Sequence, residues 1–249
     1  MKNVIILILL SHSLTIKGQT IEAKYKVSQD ILMNFEGVGL KKIVTLESTG
    51  YLYRKMNRYI YFEKPDYLDL YPTGNVQTRI SPNHIHNLQI CMDTIQKLSY
   101  KDMDSMIKRH RMDIAGKGGV DFNYVQKFSA DYFNWDYSGE TKEIQGLVCQ
   151  KASLKMRGKI EWVVWFCPDI EMQAGIFNII GLPGLIVEAE NLVLNSKYSL
   201  ESYSYLKDIR DEVFWPSEFL QPFRQMPDMK QGTSGEKSKI QKQAELTTQ

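Results

Sequence analysis

Histidine and cysteine are scarce in this chain, with four and three residues among 249, and each scarcity narrows the chemistry available. Cys91, Cys149 and Cys167 form no C-x-x-C pair, which argues against a zinc knuckle and a thioredoxin-type redox motif. His84-x-His86 is half of a metal site at most, and the remaining candidate partner is His110; the plainer reading is a polar loop after Ser81-Pro82-Asn83. An excess of charge of one sign is also missing. Removing residues 1–18 takes away Lys2 and Lys17 and no acid, which leaves 29 basic and 29 acidic residues. Such a balance gives no basic footprint for nucleic acid. Long apolar runs are absent as well: Val4 to Leu10 is far short of the roughly 20 residues that span a bilayer, and no later run is longer. Gly116-Lys117-Gly118-Gly119 lacks the Ser or Thr and the flanking elements of a phosphate loop, and reads as a connector.

What is present begins with a leader. Lys2, the apolar run Val4–Leu10 and the small polar residues ending at Gly18-Gln19 have the anatomy of a secretory signal, cleaved after Gly18. No cysteine lies near that point, so no lipid anchor is expected. The mature chain should be soluble, exported and without a transmembrane segment. Residues 19–224 read as one β-rich domain. Residues 225–249, rich in Gln, Lys, Ser and Gly, cannot bury enough apolar surface to order themselves and read as a disordered polar tail.

Fourteen tyrosines favour half-buried strands, and period-two alternation recurs. Ile21, Ala23, Tyr25 and Val27 share one face of a first strand. Residues 30–40 read as a loop or short helix. Lys41–Ser48 is a strand, Thr49-Gly50 a turn, and Tyr51–Met56 and Tyr59–Lys64 are strands about Asn57-Arg58. Tyr67–Tyr71 reads as another, stopped by Pro72-Thr73-Gly74-Asn75. Met103, Met106 and Ile107 suggest a helical turn or two within Asp102–Met112, and Phe122–Phe128 a further strand. Leu147–Met156 and Lys159–Phe166 form a hairpin about Gly158, followed by a loop, a type II turn at Pro183-Gly184 and closing strands at Leu185–Glu190 and Tyr198–Leu206.

In a hairpin centred on Gly158, Cys149 stands opposite Cys167, at the separation a disulfide requires. The alternatives are that bond or two buried, inert thiols. Cys149 as a catalytic nucleophile would need a histidine and an acid from elsewhere in the chain. Glu188 and Glu190 share a face with Ile186 and suggest a wet surface. Trp135, Trp162, Trp165, Phe166 and Phe177 either line an apolar cavity or fill the core, with Trp162 and Trp165 on opposite faces.

The block from Trp135 to Ile186 carries a resemblance. Trp135, Lys142, Ile144, Gly146, Cys149, Lys151 and Ala152 are followed by Trp165 and Pro168, and then by Gly181-Leu182-Pro183-Gly184-Leu185-Ile186. This ordered series resembles the GLPGLI family of exported proteins from Gram-negative bacteria. The chain departs from the family pattern at Glu171, Ile176, Ile179 and Cys167, so a bond to Cys167 would be peculiar to this member. The resemblance implies an envelope address and carries over no catalytic residue, cofactor or metal ligand. The residues together lead us to expect a mainly β fold: a strongly curved antiparallel sheet or half-barrel wrapped on a helix or loop, like lipoprotein carriers in outline. The expected role is a non-enzymatic binding module for a lipid-like, apolar ligand or an envelope partner. The alternatives are an envelope hydrolase, built from Cys149, His84, His86 or His110, and a scaffold for outer-membrane or secreted protein assembly.

Overall fold

The computed structural model describes residues 20–35, 40–112, 122–129, 132–156, 158–220 and 223–228. The expected leader, the tail beyond residue 228 and the Gly116–Gly119 connector lie outside them. Among the described residues fourteen strands form. They are β1 (Thr20–Phe35), β2 (Leu40–Lys55), β3 (Arg58–Pro65), β4 (Asn75–Ser81), β5 (His84–Gln89), β6 (Gln96–Asp102), β7 (Ile107–Met112), β8 (Phe122–Lys127), β9 (Trp135–Ile144), β10 (Leu147–Met156), β11 (Lys159–Cys167), β12 (Leu185–Asn191), β13 (Ser196–Leu206) and β14 (Arg224–Gln225). Twelve of them make one sheet in the order β14-β8-β7-β6-β3-β2-β1-β13-β12-β11-β10-β9, while β4 and β5 pair separately. Every pairing is antiparallel except β14 with β8, so the sheet is mixed and open.

A loop of residues 168–184 lies against the inner face and requires the sheet to curve. Trp135 in β9 donates its indole N–H to the Ile180 carbonyl at 2.9 Å, while the Phe177 ring packs 5.2 Å from that of His110 in β7. These strands are nine places apart in the sheet order, about 43 Å if the sheet were flat. Three residues of loop reach only about 10 Å. The mainly β, strongly curved sheet wrapped on a loop is therefore what forms. The loop closes on itself through Gly175 N–H to Ile179 O and Gly181 N–H to Gln173 O. Its Ile170, Met172, Ile176, Ile179 and Ile180 join Tyr25, Trp162, Phe166 and Val187 in the main core. The opposite face of β3 and β6 is covered by residues 209–219, where Ile209, Phe214 and Phe219 pack on Ile60, Leu98 and Tyr100.

Several local readings need correction. Thr49-Gly50 is not a turn: β2 runs straight through it. Gly50 is needed because a Cβ there would lie 2.6 Å from the Tyr61 hydroxyl on the neighbouring strand. Residues 30–35 continue β1 instead of looping. Tyr67–Leu70 is one helical turn, α1, not a strand. Asp102–Met112 is a strand end, a turn with Met106 at φ 55 and β7, not a helix. Gly184 does not adopt the left-handed conformation of a type II turn; Gly181 does, at φ 88. What position 184 needs is space, because a Cβ would meet the Cys167 carbonyl oxygen at 2.3 Å. Gln225, expected in the tail, pairs with Val125.

Candidate functional site

The site is built where β6 breaks its alternation. Tyr61 pairs with Ser99 and Glu63 with Gln96, so Lys97 and Leu98 together oppose the single residue Phe62. Such a bulge bends the strand and re-aims a side chain, and here it holds Lys97 at φ 50. A lysine in that region is strained relative to glycine. Its ammonium reaches Glu63 at 3.0 Å and the Tyr198 hydroxyl at 3.5 Å. Tyr61 donates its hydroxyl to the other Glu63 oxygen at 2.8 Å. Burial alone would lower the Lys97 pKa; Tyr198 and Glu63 reverse that and raise it.

Regular pairing resumes and sets two rows across the inner face. Tyr61, Ser99, His110 and Tyr124 form one, and Tyr59, Lys101, Lys108 and Gln126 the next. Lys101 is fully buried and donates to the Gly175 carbonyl at 2.7 Å. Lys108, directly opposite it, is also buried and lies 5.8 Å from the Tyr124 ring centre. Among the described residues neither amine has a carboxylate within ion-pair distance. Burying an unpaired charge is costly enough to displace its proton equilibrium. Burial, then the charge of Lys108, holds Lys101 well below the usual amine range. Burial lowers Lys108 to about 8. His110 is lowered to about 3, first by burial and then by Lys108, Lys101 and Lys97.

A desolvated amine beside a second cation has the electrostatics of a nucleophilic lysine. Lys101 lacks the access, being sealed under Gly175. What opens beside it is a cleft of about 270 Å³ reaching Lys97, His110 and Arg111. Its lining combines Ile31, Leu46, Ile90, Phe177 and Leu194 with the polar side chains of Tyr67 and Gln96. Gln96 donates to the Tyr67 hydroxyl at 2.7 Å and to the Asp93 carbonyl at 2.9 Å. Arg111 pairs with Asp93 at 2.9 Å. Phe177, like Lys97, sits at positive φ, 43°, so two strained residues face this one space.

The expected site residues scatter. His84 and His86 lie on the separate, exposed β4–β5 hairpin, His110 on β7 among lysines and Cys149 on β10, so the hydrolase grouping is not assembled. Among the described residues no cluster of three or more His, Cys, Asp or Glu could hold a metal. Of the aromatic set, Trp135, Trp162 and Phe166 are core, Phe177 lines the cleft, and Trp165 faces outward.

The hairpin register is as expected from Leu154↔Trp162 to Gln150↔Phe166, restored past a bulge near the turn. Cys149 and Cys167 follow one step beyond. They are nonetheless free, buried thiols, so the disulfide is not formed. Cys149 donates its thiol to Leu147 O in its own strand, at 3.4 Å. Burial, then the neighbouring Cys167, pushes the Cys149 thiol up to about 11.

The motif block divides by face. Trp135, Cys149, Ala152, Leu182, Gly184, Leu185 and Ile186 are buried, and Gly146 at φ 78 makes the β9–β10 turn with Gln145. A register shift at Trp165/Phe166 turns Ile186 inward, away from Glu188 and Glu190. Lys142, Lys151 and Trp165 meet on the outer face, the two ammonium groups 4.4 and 5.6 Å from the indole, with Lys142 bonded to Glu188 at 2.8 Å. Trp165 borders a groove of about 580 Å³ lined also by Lys26, Glu47, Glu190 and Lys197. Sequence reading missed Glu63, Lys97, Lys101 and Lys108. The one available signal was Lys97-x-Ser99-x-Lys101 alternating beside apolar residues.

No family model matches the chain, and no curated protein matches it. Two solved structures of PNGF-II, in space groups P21 and C2, are similar at 11% and 12% identity with a TM-score of 0.46 each. The match covers 84% of this chain and 31% of theirs, so this chain spans about a third of their length. No helix among the described residues is long and apolar enough to cross a membrane.

Proposed function

We propose that the protein is an exported, non-enzymatic binding module of the Gram-negative envelope, acting in the periplasm on a small ligand with an apolar body. The observation that carries this reading is the cleft between β1, β2, β6 and β7, lined by apolar side chains together with a few polar ones, the usual composition of a small-molecule site. The leader pattern and the GLPGLI resemblance support the address. The sheet's interior is otherwise filled by residues 168–184, so the ligand is smaller than a lipoprotein carrier's acyl chains would be. Native mass spectrometry of the mature chain purified from a periplasm tests this. Extra mass lost on denaturation is the expected result; bare mass, with no small apolar molecule binding in solution, rejects it.

A second reading, docking of an envelope partner, is favoured by the outer groove bordered by Trp165, whose ring Lys142 and Lys151 approach. A photo-crosslinker at position 165 that captures one defined envelope protein would support it, and an uncrosslinked chain would reject it.

A further inference from the structure

We infer that the cleft takes a small amphipathic organic anion, with its apolar body between Ile31, Leu46, Ile90 and Phe177 and its anionic head at His110, Lys97 and Arg111. The inference rests on the binding reading above and names the chemistry of the ligand.

Charge is the first argument. Lys97 and Arg111 line the cleft, and Lys101 and Lys108 lie in the next row of the sheet, beside His110. The carboxylates paired with them are Glu63 and Asp93. Those pairs occupy Lys97 and Arg111, and among the described residues Lys101 and Lys108 have no carboxylate of their own. An anion at His110 would sit within the field of both. Burial leaves the Lys101 and Lys108 amines without a counter-ion, and an anion beside His110 would supply one, which favours this class of ligand over a neutral one.

Geometry is the second argument. His110 belongs to the cleft and also to the row beside Lys101 and Lys108. It is the group through which the buried cations reach the open space. Burial and the neighbouring lysines hold its ring neutral, so it offers an anion one N–H donor. Lys97 is brought to the same place only by the bulge and its positive φ. Strain of this kind persists where surrounding structure enforces it, and it gathers at binding sites.

Size is the third argument. A cleft of about 270 Å³ lies at the small end of small-molecule pockets. That suits a short-chain or aromatic monocarboxylate and is too small for a two-chain lipid.

Heptanoate and heptan-1-ol share a body and differ at the head, so their affinities for the mature chain, measured by calorimetry, test the inference. Heptanoate should bind at least about ten-fold more tightly than the alcohol. Lys108→Met should reduce the heptanoate advantage to about two-fold or less and leave the alcohol unchanged. Lys108→Gln, with a melting curve for each variant, serves if the Met variant does not fold. Equal binding of acid and alcohol, or an unchanged heptanoate affinity in the folded Lys108 variant, overturns the anionic head and leaves the apolar cleft standing. Failure of both probes, with a bare native mass, overturns the cleft reading itself.

Discussion

At the scale of single residues, the inner face is governed by groups whose charge the fold resists. His110 faces Lys97 and Lys101 from β6, Lys108 from its own strand, Tyr124 from β8 and Phe177 from the loop, with Glu63 beyond Lys97. Its pKa falls from 6.5 to about 3 on folding. The unfolded chain therefore binds the proton more readily, and His110 contributes stability that is complete above pH 6.5 and lost as pH falls toward 3. Thermal melts across that range should show a steeper acid limb for the native protein than for His110→Gln; coincident limbs would contradict the assignment. Gly184 gives a second expectation. Gly184→Ala must move backbone, because the Cβ would meet the Cys167 carbonyl, and should cost about 3 kcal/mol. Gly146→Ala meets no neighbour within 4 Å and strains only its φ of 78°, so about 1 kcal/mol is expected. Chemical denaturation of both variants measures the difference.

At the scale of elements, the loop of residues 168–184 holds the curve of the sheet. Trp135→Phe keeps the ring in the core but deletes the indole donor, leaving the Ile180 carbonyl buried without its partner. The expected loss is about 1–3 kcal/mol, with faster amide exchange concentrated at residues 173–181. Unchanged exchange there would mean the loop is held by packing alone. Legibility also divides at this scale. The β10–β11 hairpin was readable because its partners are neighbours in sequence and its symmetry about Gly158 is local. Gly50 was misread because a glycine inside a strand looks like a turn until its neighbour Tyr61 is known. Residues 102–112 were misread because Met103, Met106 and Ile107 fall at helical spacing, whereas β7 is fixed by its pairing with β8 and by a loop that arrives some sixty residues later. The cleft was illegible for the same reason: Glu63, Lys97, His110 and Phe177 come from four separate parts of the chain, and no local spacing joins them.

At the scale of the whole molecule, the sheet order places β1 between β2 and β13. Ile21 pairs with Arg54 on one side and Tyr205 on the other, so one neighbour is available early and the second only when nearly all the chain has been made. The first strand thus spends most of synthesis with a raw edge, and its own side chains Tyr25 and Val27 have no core to enter. Folding of such a chain is dominated by distant contacts and should be slow, on the order of milliseconds to seconds. A chain ended at Asn195 lacks β13 and should fail to fold cooperatively, which a featureless thermal melt would reveal; a sharp transition would mean that β1 and β2 nucleate a stable half by themselves. Until the last strand arrives, the open edge of β1 is where this protein is most exposed to wrong partners, and a chaperone that shields residues 20–35 would matter more to its yield than any change in its finished core.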